Sequence, residues 1–200
     1  MSSITLNGDT SGSVQLTVPA VAGSSVITVP SGTGTIAVQG VSTNIVSGTP
    51  QTLTSGTSYT FTGIPSYVKR ITFVCNGLKT NGSSLFLVQL GTSSGIVSSG
   101  YLGYFAYLNT TSNAGSGSSS AGFPFQHGGS SDTLYCNMTI MNISGNNWLS
   151  THSGGFFNGS SNFGINGGGS IALSSVLTSL TITSSSADTF TAGTINIFYE

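Results

Sequence analysis

The stretch Thr133-Leu134-Tyr135-Cys136-Asn137-Met138-Thr139-Ile140-Met141-Asn142-Ile143 decides the fold class. Leu134, Cys136, Met138 and Ile140 fall on alternate positions, with Asn137 and Thr139 between them. Alternation of period two is the signature of a strand with one buried face. No segment carries the i, i+3, i+4 apolar spacing of a capped helix.

The same pattern extends outward on both sides. Val68–Cys75 places Ile71, Phe73 and Cys75 on one face, and Tyr101–Leu108 alternates again. Leu85–Leu90 is apolar on both faces except at Gln89, which predicts a central strand. Shorter strands are predicted at Asn147–Ser150, Gly155–Phe157 and Ile171–Leu173, and longer ones at Val176–Thr183 and Thr189–Tyr199. Gly, Ser, Asn and Pro separate them. This is an all-β chain, and 64–200 reads as a two-sheet β-sandwich of jelly-roll type.

Residues 1–40 form a region of their own, an extended arm or a set of short β-repeats. Four runs recur: Ile4-Thr5-Leu6, Val14-Gln15-Leu16-Thr17-Val18, Val26-Ile27-Thr28-Val29 and Thr35-Ile36-Ala37-Val38. Pro19 and Pro30 follow two of them and stop further pairing. Strands this short cannot bury a core unaided. The arm's apolar residues, Ile4, Leu6, Val14, Leu16, Val18, Val26, Val29, Ile36 and Val38, are therefore candidates for contact with a partner or with copies of the chain. Residues 41–63 read as a bridge with further short strands such as Thr57–Thr62.

Charge narrows the function. The chain has 200 residues, of which only three are Lys or Arg and four are Asp or Glu, or 4% charged. A typical domain carries about 25%. Charged edges and surfaces keep free proteins from pairing with their neighbours, so their scarcity points to a component of an assembly. Lys69, Arg70 and Lys79 are too few for a nucleic-acid groove or a basic membrane-binding face. Met1-Ser2-Ser3-Ile4 lacks the basic, then apolar, pattern of a signal peptide, and a cytoplasmic site of synthesis is expected. Cys75 and Cys136 then read as reduced, buried thiols, with an intrachain disulfide as the alternative.

Catalytic chemistry is scarce. Asp9, Asp132, Asp188 and Glu200 are scattered, and no pair presents itself as the acid and base of a glycosidase. His127 and His152 lack companions at zinc spacing. Gly167-Gly168-Gly169 precedes no helix and no Lys-Ser/Thr, so it is not a phosphate loop. No enzyme activity, cofactor or metal is expected. Two binding candidates remain. Asn109–Ser131, a Ser/Gly/Ala-rich break, predicts a long loop, either merely mobile or an apical contact loop with Phe123, Phe125 and His127 as anchors. Trp148, beside Asn146 and Asn147, is either a core plug or a platform for stacking a glycan.

Three segments bear a resemblance. Ser3-Ile4-Thr5-Leu6-Asn7-Gly8-Asp9-Thr10-Ser11-Gly12-Ser13-Val14, continuing through Pro19-Ala20-Val21-Ala22-Gly23, resembles an N-terminal repeat common in structural proteins of tailed bacteriophages. Val29-Pro30-Ser31-Gly32-Thr33-Gly34-Thr35 stands where that repeat usually runs T-L-P-A-x-T-G-T. Ile64–Thr72 with Val88–Thr92 resembles the opening of a phage β-sandwich domain, and Ala187–Glu200 its last hairpin. The middle, 101–175, shows no such likeness. The resemblance implies a homotrimeric virion protein; with no enzyme activity expected, the chain reads as a structural protein on the particle's outer surface, assembled in the host cytoplasm. Two functions fit it. One is a capsid decoration (cement) protein whose arm binds the major capsid protein or another virion protein. The other is a short tail-fibre tip that recognises a host surface glycan.

Overall fold

A computed structural model describes residues 3–7, 11, 13–17, 45–109, 114–126 and 128–200. The chain divides into two compact units, Met1–Val41 and Ser42–Glu200. In the first, β1 (Ser3–Asn7) and β2 (Ser13–Thr17) form an antiparallel hairpin that pairs Ile4 with Leu16 and Leu6 with Val14. Val18, Val26, Val29, Ile36 and Val38 lie outside the described residues.

In chain order the second unit contains β3 (Val46–Ser47), β4 (Gln51–Thr52), β5 (Ser58–Thr62), β6 (Arg70–Thr80), β7 (Phe86–Thr92), β8 (Gly95–Ile96) and β9 (Leu102–Leu108). It continues with β10 (Ala114–Ser119), β11 (Phe123–Phe125), β12 (Thr133–Ser144), β13 (Asn147–Phe157), β14 (Asn162–Ala172), β15 (Leu177–Ser184) and β16 (Phe190–Tyr199). A nine-stranded sheet runs β10-β9-β14-β13-β12-β6-β16-β3, with β4 also on β16. A five-stranded sheet runs β11-β7-β15-β5, with β8 on β7. Every described pairing is antiparallel.

The all-β class follows from the alternation. Ile71, Phe73 and Cys75 of β6, and Leu134, Cys136, Met138 and Ile140 of β12, all face inward and are buried. They meet Phe86, Val88 and Leu90 of β7, Leu180 and Ile182 of β15, and Phe123 and Phe125 of β11 in one core. Rings close the contact between the sheets. Phe86 stacks parallel to Phe190 at 6.1 Å, and Phe73 lies 6.3 Å from Phe125. Each such buried side chain contributes about 2 kcal/mol. β7 is buried at every position. Its Gln89 is satisfied by donating to the Ala121 carbonyl at 2.8 Å.

The structure departs from the sequence reading in four places. Jelly-roll connectivity spreads two Greek keys over two sheets, whereas here β12, β13 and β14 form a consecutive meander within one sheet. The described part of the expected bridge 41–63 belongs to the second unit: β3 and β4 pair with β16, and β5 pairs with β15. Asn147–Ser150 and Gly155–Phe157 belong to one strand, β13, and Ile171 lies near the end of the longer β14. The predicted loop 109–131 contains β10 and β11. β10 reads Ala-Gly-Ser-Gly-Ser-Ser and forms a strand because its glycines lie beneath aromatic rings of β9, Gly115 under Tyr107 and Gly117 under Phe105.

Candidate functional site

At one end of the sandwich, the β11–β12 loop and the β13–β14 turn enclose a cleft of about 310 Å³. It is lined by Tyr107, Gln126, Ser131, Asp132, Phe156, Asn158 and Phe163, with Gly128 and Gly129. Register brings the apolar wall together. Phe156 and Phe163 are cross-strand partners, and their rings stack parallel at 4.5 Å. Tyr107, near the end of β9, meets both edge-on at 6.0 and 5.9 Å. Phe156 and Phe163 are buried, while Tyr107 keeps part of its ring exposed.

The polar wall comes from two turns that fix their own side chains. Asn158 begins an Asx turn: its Oδ1 accepts from the Ser160 and Ser161 N–H groups at 3.0 and 2.8 Å. With the oxygen committed, Nδ2 is the half of the amide left to a ligand. Asp132 is only 3% exposed. Its Oδ2 accepts from the Gly128 N–H at 2.6 Å, and its own N–H donates to the Gly129 carbonyl at 2.9 Å. Ser131 Oγ donates to the Asn158 carbonyl at 3.2 Å and ties the two turns together. Among the described residues the lining contains no Lys or Arg. The cleft can therefore offer an acceptor, an amide donor and an aromatic wall side by side.

A second cleft, of about 210 Å³, lies over β6 and β16. Arg70 and Glu200 line it and pair with each other, which leaves its charges already satisfied.

The candidates named from sequence fall elsewhere. Phe123 and Phe125 are fully buried. They pair with Val88 and Phe86 of β7, and Phe123 packs edge-on against Tyr101 at 5.0 Å. An anchoring role at an apical surface is corrected for both, because the core already holds them. His127 lies outside the described residues. Trp148 is 4% exposed on the inner face of β13, so the core reading replaces the stacking platform. Its Nε1 has no hydrogen-bond partner.

Two further inner-face groups of β13 share that condition. Ser150 Oγ and both ring nitrogens of His152 are buried without partners. His152 packs against Phe125 with ring centroids 4.6 Å apart, and burial pushes its pKa from 6.5 down to about 4. Cys75 and Cys136 are free thiols directly opposite each other on β6 and β12, with their sulfurs 3.6 Å apart. Burial first, and the neighbouring Cys75 thiol second, push the Cys136 thiol well above the ordinary range. Tyr101 is raised to about 12 by burial, although its oxygen accepts from the Leu90 N–H at 2.7 Å. None of these groups opens onto the cleft.

Sequence reasoning passed over Asp132, Asn158 and Tyr107 as site residues. The one legible signal was the turn chemistry of Asn158-Gly159-Ser160-Ser161. No protein-family model, curated protein or solved structure matches the chain.

Proposed function

We propose that the chain is a non-enzymatic structural protein of a tailed-phage virion, a homotrimeric capsid decoration protein. Residues 1–40 attach it to the capsid surface, and the sandwich is displayed outward. The observation that carries this reading is the outer face of the nine-stranded sheet. Leu102 and Tyr104 of β9, Leu149 of β13, and Tyr135 and Met141 of β12 are exposed there. Leu102, Ser170, Leu149 and Met141 stand in one row across four adjacent strands. Those four strands, β9, β14, β13 and β12, contain no Asp, Glu, Lys or Arg. A broad face without charge, studded with large apolar side chains, suits contact with another subunit. Burial of such surface on the particle stabilises both components by mass action.

Copy number per particle, measured by quantitative mass spectrometry of purified virions, tests the location. Hundreds of copies are expected; a few tens or fewer would overturn decoration. A chain lacking residues 1–40 should fold and fail to join the particle, and its incorporation would refute the arm's role.

One observation favours a second reading, a tail-fibre tip that holds a host surface glycan. It is the cleft of Tyr107, Asp132 and Asn158, which combines an aromatic wall with fixed polar groups.

A further inference from the structure

The geometry points to a binding site for one neutral sugar ring in the cleft between the β11–β12 loop and the β13–β14 turn. This deepens the tail-tip reading by naming a ligand class, and its test is independent of oligomeric state and of copy number.

A pyranose has an apolar face of C–H groups and a rim of hydroxyls, each both donor and acceptor. The cleft has the complementary halves. Tyr107, with the stacked Phe156–Phe163 pair behind it, supplies a rigid apolar wall. Such rings give contact area at little cost in side-chain entropy. Opposite, the deeply buried Asp132 lines the cleft with its Oδ2 held by the Gly128 N–H, and its carboxylate is the acceptor the site offers to a sugar hydroxyl. Asn158 is locked by its two backbone donors, so its Nδ2 can donate to a neighbouring hydroxyl. Gln126, on the rim, carries both functions. The polar groups are thus fixed before a ligand arrives, which lowers the ordering cost of binding.

Charge sets the class of sugar. Among the described residues Asp132 lines the cleft and no Lys or Arg does, so a uronic or sialic acid would set its carboxylate against another acidic group. A quaternary ammonium ligand would satisfy Asp132 and the aromatic wall by cation–π contact. It would leave the Asn158 and Gln126 amides without partners. A neutral hexose uses every group on both walls.

The experiment is saturation-transfer NMR of the full-length protein with D-glucose, D-galactose and D-mannose, each at millimolar concentration. Sodium D-glucuronate and tetramethylammonium chloride serve as contrasting probes. At least one neutral hexose should show transfer strongest at its ring C–H protons, with little dependence on salt. Glucuronate and tetramethylammonium should show none. Asp132→Asn keeps an oxygen for the Gly128 N–H and removes the charge. Tyr107→Leu keeps an apolar side chain and removes the ring. Each should weaken binding about tenfold, the effect of losing one good contact, while far-ultraviolet circular dichroism keeps the native β-sheet spectrum. Silence from all three hexoses overturns the proposal. So does a hexose signal that neither variant weakens, and so does binding of tetramethylammonium or glucuronate in place of the hexoses.

Discussion

His152 should make the protein acid-sensitive by an amount that one substitution removes. Its ring is 5% exposed on the inner face of β13, and neither nitrogen has a partner. Burial holds its pKa at about 4, against 6.5 in an unfolded chain. Below pH 6.5 the unfolded state takes up a proton that the folded state refuses until about pH 4. Stability is therefore full above 6.5, falls as pH drops through this window, and stops falling below about 4. At about 1.36 kcal/mol per pH unit, the gap amounts to about 3 kcal/mol, of which about 2.5 is lost by about pH 4.5. His152→Leu replaces the ring with an apolar side chain of similar volume and deletes both unpartnered nitrogens. Urea unfolding of both proteins at about pH 7.5 and about pH 4.5 gives the comparison. The two proteins differ only at position 152, so every other contribution to the pH dependence is common to both and cancels in the comparison. Wild type should lose about 2.5 kcal/mol more than the variant between the two pH values. At the higher pH the variant should be at least as stable as wild type. Equal losses in the two proteins would refute the assignment of a buried, unpartnered imidazole.

Other sites give sharp outcomes too. Gly193 has φ +117° at an irregularity between β16 and β6, and a Cβ there would lie 2.5 Å from the Leu78 Cα. Gly193→Ala should cost about 3 kcal/mol by thermal or urea unfolding, and a neutral result would contradict this backbone geometry. Cys75 and Cys136 should remain unlabelled by iodoacetamide in the native protein and both react with Ellman's reagent once unfolded. Zero thiols after unfolding would establish a disulfide instead.

The alternation of Leu134, Cys136, Met138 and Ile140 was enough to place β12 and orient it, because each inward position carried a large side chain. β14 escaped at its centre, since Gly167-Gly168-Gly169 carries no side chain whose parity could be read. Its pairing with β13 and β9 is carried by backbone alone. β10 was hidden for the same reason, its glycines covered by rings from β9. Phe123 and Phe125 misled because a Gly/Ser-rich context resembles a loop, while Pro124 is tolerated on the three-residue edge strand β11. Parity within β13 would have placed His152 inside, in step with Trp148 and Phe156. The cleft could not be found this way. It gathers Tyr107, Asp132, Asn158 and Phe163 from separate segments, and only the antiparallel register of β9, β14, β13 and β12 brings those ends together.

The charge-free outer face of the four strands β9, β14, β13 and β12 is the feature on which the assembly reading rests, and the mass of the full-length chain in solution tests it most directly. One chain is 20.2 kDa. Light scattering coupled to size exclusion at micromolar concentration should give three copies, about 61 kDa, with Leu102→Lys and Met141→Lys together shifting the mass downward. A wild-type mass of a single chain, unchanged by concentration, would contradict the account.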